Sequence, residues 1–93
     1  MLKWLRRAER DLEEVEKYIG QDNPAAAVEM VIRIISAVER LEHFPGIGRA
    51  GRVDGTKELV IDGTHYIVPY RKKGEHIEIL RVYHSARLWP HSF

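Results

Sequence analysis

Leu5, Ala8, Leu12, Val15 and Ile19 follow one another at steps of three, four, three and four, the spacing of one apolar stripe on an α-helix. Ahead of them Leu2 and Trp4 alternate with Lys3, as in a short strand running from Met1 to Leu5. Gly20 supplies a C-terminal stop, and Glu13 and Lys17 are spaced for an ion pair on the solvent side. Asn23 and Pro24 restart the chain, Asn23 as a side-chain cap and Pro24 at the first helical position, where no N–H is needed. From Ala25 to Glu42 the residues Val28, Val31, Ile32, Ile34, Ile35, Val38 and Leu41 cover a broad arc. That breadth predicts a second helix buried on more than one side, against the first helix and against a sheet. The short link makes the two an antiparallel hairpin.

Phe44-Pro45-Gly46 ends the helical pattern, and Gly46, Gly48, Gly51 and Gly55 mark a loop. Three extended runs follow: Val53 to Ile61, Tyr66 to Arg71 and Ile77 to Tyr83. Asp62-Gly63 joins the first two as a tight turn and Lys72-Lys73-Gly74-Glu75 the second two, which requires an antiparallel meander. Pro69 takes a ladder donor from the middle run, so a bulge or an edge position is expected there. Strict alternation in the last run sets Ile77, Ile79, Arg81 and Tyr83 on one face and Glu78, Leu80, Val82 and His84 on the other. The expected fold is α+β, in the order β-α-α-β-β-β. An N-terminal helical hairpin covers one face of a small, mostly antiparallel sheet and leaves the other partly open.

At 93 residues the chain is one domain, residues 1–93, near the lower size limit for a self-sufficient core. Its 44% hydrophobic and 31% charged residues exclude a disordered chain. Without cysteine there is neither a disulfide framework nor a thiolate metal site. The apolar stretches fall short of the roughly 18 residues a membrane span needs, and no charged-then-apolar leader opens the chain. A cytoplasmic protein with no membrane contact is expected. The net charge of +1 conceals a division. Residues 1–43 carry seven Lys/Arg against nine Asp/Glu, while residues 44–93 carry eight against five and four of the five histidines. Such a division suits a chain that turns one side to a polyanion or an acidic partner, and equally a solvated mixed surface.

Arg81 stands first among the candidate functional residues. A strand fixes its guanidinium, which could hold a phosphate in two-point contact or form an ion pair with Glu58 or Glu78. His84, where the strand runs out, titrates near neutral pH and could protonate a leaving group, or could bond to nearby backbone. Arg49 and Arg52 lie in the glycine-rich loop, Lys57 just beyond it and Arg71 at a hairpin, all able to reach a phosphate or a target surface. The loop lacks the Lys-Ser/Thr of a nucleotide-binding loop. The histidines show no metal-ligand spacing, so neither a metal nor another cofactor is expected. The aromatic tail Leu88-Trp89-Pro90-His91-Ser92-Phe93 either folds back on the domain or joins a partner site.

Arg7-Ala8-Glu9-Arg10-Asp11-Leu12, Phe44-Pro45 with its glycines, Lys57-Glu58-Leu59, Tyr66 to Arg71 and Ile79-Leu80-Arg81-Val82-Tyr83-His84 occur in an order that resembles the RelE/ParE superfamily of toxins. The resemblance spans essentially the whole chain. It implies the toxin of a type II toxin–antitoxin module, held by a cognate antitoxin that binds operator DNA on behalf of the pair. It also implies one of two targets, DNA gyrase for ParE-like members or ribosome-bound messenger RNA for RelE-like ribonucleases. In ribonuclease members Arg81 would match a phosphate-contacting arginine and the Tyr83-His84 region the place of the acid. Such members commonly carry an arginine in the middle strand where Ile67 stands here, and only Glu58 or Lys57 offers a base. The aliphatic middle strand resembles the ParE-like branch, so gyrase inhibition is the preferred expectation.

Overall fold

The computed structural model describes residues 1–93 and places them in a helical hairpin laid on a six-stranded mixed sheet. Strand β1 (Leu2–Trp4) leads into α1 (Arg6–Gly20) and α2 (Pro24–Glu39), and a 3-10 turn, Arg40–Glu42, closes the second helix. Strands β2 (Arg49–Ala50), β3 (Lys57–Val60), β4 (Tyr66–Lys73), β5 (His76–Ile79) and β6 (Tyr83–His84) follow. The sheet order is β1-β5-β4-β3-β2, with β6 also on β4. Only the β1–β5 pair is parallel. No helix is long and apolar enough to cross a membrane.

The local signals act as read. The Asn23 side chain accepts from the Ala26 N–H at 3.0 Å with Pro24 next in line. Gly74 takes the left-handed φ (+62°) required at the first central position of the β4–β5 hairpin. The helical stripe and one sheet face form a core of Ala8, Val15, Ile34, Val38, Leu41, Leu59, Ile61, Val68, Tyr70, Ile77, Ile79 and Val82.

Several expectations change. Gly20 is the last residue of α1, whose cap is Gln21, and the Asp62-Gly63 connection spans four residues between Ile61 and Tyr66. The Val53–Ile61 run is strand only over Lys57–Val60, and the glycine loop adds the two-residue strand β2 instead. Glu13 and Lys17 form no ion pair within 4 Å. Helix α2 packs against both α1 and the sheet, as its broad arc predicts, but the arc is wider than that burial and leaves Val28 52% and Ile32 58% exposed. The sheet face turned away from the helices is covered at Tyr83 by the chain's own tail.

The last strand departs furthest from its reading, and Pro69 supplies the reason. Tyr70 pairs with Ile79, and pairing resumes with Ile67 against Tyr83, so three steps along β4 face four along the opposing chain. That is a bulge of one residue within Leu80–Val82. Leu80 N–H donates to the Pro69 carbonyl at 3.0 Å, but Pro69 has no N–H to return. The proline therefore lies on a central strand, and the irregularity is displaced into its neighbour. Alternation breaks at that point: Val82 joins Ile77 and Ile79 in the helix-side core, while Tyr83 packs among Trp89 and Phe93.

Candidate functional site

The bulge frees the Val82 N–H from the ladder, and Asp11 of α1 takes it at 3.0 Å through Oδ2. Arg81 turns to the same carboxylate, its Nε donating to Oδ2 at 2.7 Å and its Nη2 to Oδ1 at 3.0 Å. This is a two-point guanidinium–carboxylate pair, the strong kind. Asp11 holds the Arg81 pKa above the usual guanidinium range, chiefly through that hydrogen bond. The expected carboxylates, Glu58 and Glu78, are not the partners. Asp11 escaped the sequence reading because nothing in the local pattern brings residues this far apart together.

Glu58 and Glu78 serve other arginines. Glu58 is only 1% exposed and sits opposite Arg49 across β2–β3. Its Oε1 accepts from Arg49 Nε at 3.0 Å and lies 2.9 Å from Nη2, while its Oε2 accepts the Arg52 backbone N–H at 2.8 Å. The carboxylate thereby ties the glycine-rich loop to the sheet. Glu78 faces Arg71 across β4–β5 and accepts from its Nε at 2.8 Å, which holds the Glu78 pKa below the usual carboxylate range. Tyr70 completes the loop's attachment, accepting from Gly48 N–H at 2.9 Å and donating to the Pro45 carbonyl at 2.8 Å. Burial raises its pKa above 10.0. A Cβ at Gly51 would lie 2.7 Å from the Thr56 carbonyl oxygen, so the loop closes there only around glycine.

Of the five candidate cations, Arg49, Arg52, Arg71 and Arg81 each have a carboxylate, and Lys57 alone has none. Lys57 lines a cleft of about 450 Å³ with Arg71 and Lys72, between the glycine loop and the β4–β5 hairpin, and no carboxylate lines it. His84 is exposed, and its Nδ1 accepts the Ala86 N–H at 3.1 Å, the backbone bond open to a histidine in that place. Its ring is 5.5 Å from His65 and edge-on to Tyr66 at 5.7 Å. With Asp11, Glu14 and Tyr18 it lines a groove on one flank of α1.

Beside the paired Glu58, Arg71 and Glu78, the sheet face carrying Ile67 holds an apolar patch under the tail. Ile67, Leu80 and Tyr83 are buried, and Trp89 packs edge-on to Tyr83 at 5.0 Å. The Arg52 guanidinium lies 4.2 Å from the Trp89 ring centroid, and Phe93 lies 6.2 Å from Tyr83. Of the two tail arrangements open to the sequence, the molecule adopts the folded-back one.

Residues 2–89 match the family described as ParE toxin of type II toxin-antitoxin system, parDE. The chain belongs to that family of toxins. It is 44% identical over 89 residues to a protein named toxin Y4kP from Sinorhizobium fredii (strain NBRC 101917 / NGR234), covering 96% of this chain and 92% of that one. It is 35% identical over 85 residues to Toxin RelE2 of Caulobacter vibrioides (strain ATCC 19089 / CIP 103742 / CB 15), covering 91% and 94%. Among solved structures it resembles a chain of the chromosomal ParDE TA system from P. aeruginosa, with a TM-score of 0.81 and 32% identity over 87% of this chain and 90% of that one. The α+β fold of two helices on a mixed sheet is thus the fold of a toxin–antitoxin toxin, and the family implies a cognate antitoxin as partner.

Proposed function

We propose that this toxin arrests growth in the cytoplasm by binding DNA gyrase rather than by cutting messenger RNA. A cognate antitoxin silences it and carries the pair to operator DNA. One observation carries the preference: Arg81, the strand-borne candidate for a phosphate contact, has two of its three guanidinium nitrogens, Nε and Nη2, on Asp11. Cleavage at a 2′-hydroxyl needs a base, a free cation for the charge that develops on phosphorus, and an acid. A guanidinium paired this way contributes almost no net charge to a substrate. Ile67 stands where ribonuclease members carry an arginine, and the arginine the middle strand does have, Arg71, is held on Glu78. A binding toxin needs none of these groups free. Lys57, Arg71 and Lys72 around their cleft, with Arg49 and Arg52 on the adjoining loop, are then the surface offered to the target.

The test is induced expression without antitoxin, following a DNA-damage reporter and bulk translation in one culture. Gyrase inhibition gives an early damage response while translation persists, and His84→Ala stays toxic. Early translation arrest with cleaved messenger, abolished by His84→Ala, overturns the proposal in favour of a ribosome-dependent ribonuclease with His84 as acid.

A further inference from the structure

The cleft between the glycine loop and the β4–β5 hairpin, about 450 Å³ in volume, gathers positive charge that the fold does not use. Lys57 lies opposite Tyr70 across β3–β4, and Lys72 follows Tyr70 by two residues along β4. Both lysines therefore stand on the Tyr70 face of the sheet, on neighbouring strands, their Cα atoms roughly 8 Å apart. Both are exposed, and neither has a carboxylate within 4 Å. Like charges so close across a sheet repel, so the pair does nothing for stability. Arg71 also lines the cleft, but Glu78 holds its Nε at 2.8 Å, which leaves the two lysines as the free charge. His84 pairs with Tyr66 at the opposite end of β4, so this cleft is separate from the Arg81–His84 region.

The loop forming the other wall carries Gly46, Gly48, Gly51 and Gly55, and three of these have a reason inside the chain. A Cβ at Gly48 would strike the Tyr70 side chain, one at Gly51 would strike Thr56, and Gly55 has φ +79°. Gly46 has none of these reasons. Its φ is not positive, and a Cβ there would meet nothing within 4 Å. Gly46 and Gly55 both line the cleft, and the N–H of neither has an acceptor in the chain. A glycine that no contact of the chain requires suits a place where the backbone approaches a ligand closely.

We infer that this cleft binds a phosphate group. Lys57 and Lys72 supply the charge, and the Gly46 and Gly55 N–H groups donate to its oxygens. A carboxylate, with two oxygens and one charge, satisfies this donor set less completely. Tyr70, the one aromatic residue of the lining, is 1% exposed, and its hydroxyl is taken by Gly48 and Pro45. Nothing in the cleft stacks on a base, so the site recognises phosphate and not sequence. The inference rests on the reading of this cleft as the surface that meets the target, and gives that surface its ligand chemistry. The phosphate comes either from a DNA backbone or from a small phosphate ester.

The test is ¹H–¹⁵N NMR of the purified full chain, which reads the Gly46 and Gly55 amides directly. Sodium phosphate and sodium pyrophosphate are titrated at constant pH and ionic strength, with sodium acetate as the carboxylate control. Both phosphates shift the two amides downfield and saturate, while acetate leaves them in place. Lys57→Gln/Lys72→Gln weakens pyrophosphate binding at least about tenfold, a difference near 1.4 kcal/mol. Gly46→Ala weakens it severalfold yet melts at the parent's temperature, because its Cβ touches nothing in the chain. Circular dichroism checks that the lysine variant remains folded. A short DNA duplex then distinguishes the sources. If it shifts the same two amides in the parent and not in the lysine variant, the cleft takes backbone phosphate, and if it leaves them in place, the cleft takes a small ester.

Phosphate and pyrophosphate that leave both amides unmoved overturn the inference. So does acetate that moves them equally, since any anion then suffices, and so does a lysine variant that keeps the parent's affinity. A toxin that halts translation without a DNA-damage response defeats the gyrase reading and leaves the titration untouched. A damage response with no phosphate binding defeats this inference alone, so the two can fail separately.

Discussion

The arginines of the sheet and the glutamates on the outer side of α1 differ in how they are partnered. On the sheet side Arg49 and Arg52 share Glu58, Arg71 has Glu78, and Arg81 reaches across to Asp11. On the helix side Glu9, Glu13 and Glu16 stand unpaired beside an uncovered apolar row. The paired arginines fasten segments together: a loop to a strand, a strand to its neighbour, a sheet to a helix. The unpaired glutamates fasten nothing. Charge paired within the chain helps to hold the fold, and charge without a partner, Lys57 as much as these glutamates, has no such structural duty.

The largest effect should come from breaking the pair that joins the two sides. In the Arg81–Asp11 pair the side chains are only 16% and 14% exposed. Asp11→Ala leaves a largely buried guanidinium and the Val82 N–H without their acceptor, at a cost of about 3–5 kcal/mol. Urea denaturation followed by circular dichroism measures it. Asp11→Leu combined with Arg81→Met should recover the part of the loss due to the stranded guanidinium, while the Val82 N–H still lacks its acceptor. If Asp11→Ala is as stable as the parent, Arg81 is free to reach solvent or substrate, and the main argument against catalysis falls.

The next effect is at Tyr70, which joins the glycine loop to the sheet through two hydrogen bonds. Tyr70→Phe removes both, to Gly48 N–H and to the Pro45 carbonyl, at a cost of about 2 kcal/mol in total. It also alters the response to alkali. The folded-state pKa of Tyr70 is raised above 10.0 by burial, so its contribution is complete below pH 10.0 and is lost as pH rises through the raised value. The phenylalanine variant should therefore be less stable at neutral pH and lose less on going above pH 10.0. Tyr66, raised chiefly by burial as well, keeps part of the alkaline loss in both proteins. Denaturant midpoints on either side of pH 10.0 decide the matter.

How far the sequence could lead depended on the range of each interaction. The helices, the Asn23 cap and the Gly74 turn are local, set by residues a few positions apart, and they formed where the pattern put them, while Gly20 ends α1 without capping it and the Asp62-Gly63 connection widened to the four residues between Ile61 and Tyr66. The six-stranded sheet depended on longer-range events. Pro69 announced an irregularity, but only pairing with the following strand decided that the extra residue would lie in Leu80–Val82, with Val82 on the core side. The candidate cations were legible as residues and illegible as a site, because their partners lie on other elements, Asp11 furthest away. The arc of α2 was read as burial from its width, yet a width that serves either a sheet or a partner looks the same in one sequence.

Ile34 and Ile32 set that ambiguity two residues apart on one helix. Ile34 is fully buried in the core, and Ile32 is 58% exposed. Ile34→Ala should cost about 2–5 kcal/mol, the transfer of the lost methyl groups plus the cavity they leave. Ile32→Ser touches little that is packed, so its effect should stay within about 0.5 kcal/mol despite the loss of an entire aliphatic side chain. Stability alone would class Ile32 as dispensable surface. The comparison sharpens when both variants are co-expressed with the antitoxin and growth is followed. Ile32→Ser should weaken neutralisation while leaving the toxin stable and toxic, whereas Ile34→Ala should lose toxicity together with folded protein. An Ile32→Ser toxin still neutralised at the parental antitoxin dose would show that the exposed row carries no partner, and its exposure would then be an ordinary feature of a small domain with more apolar surface than its core can bury.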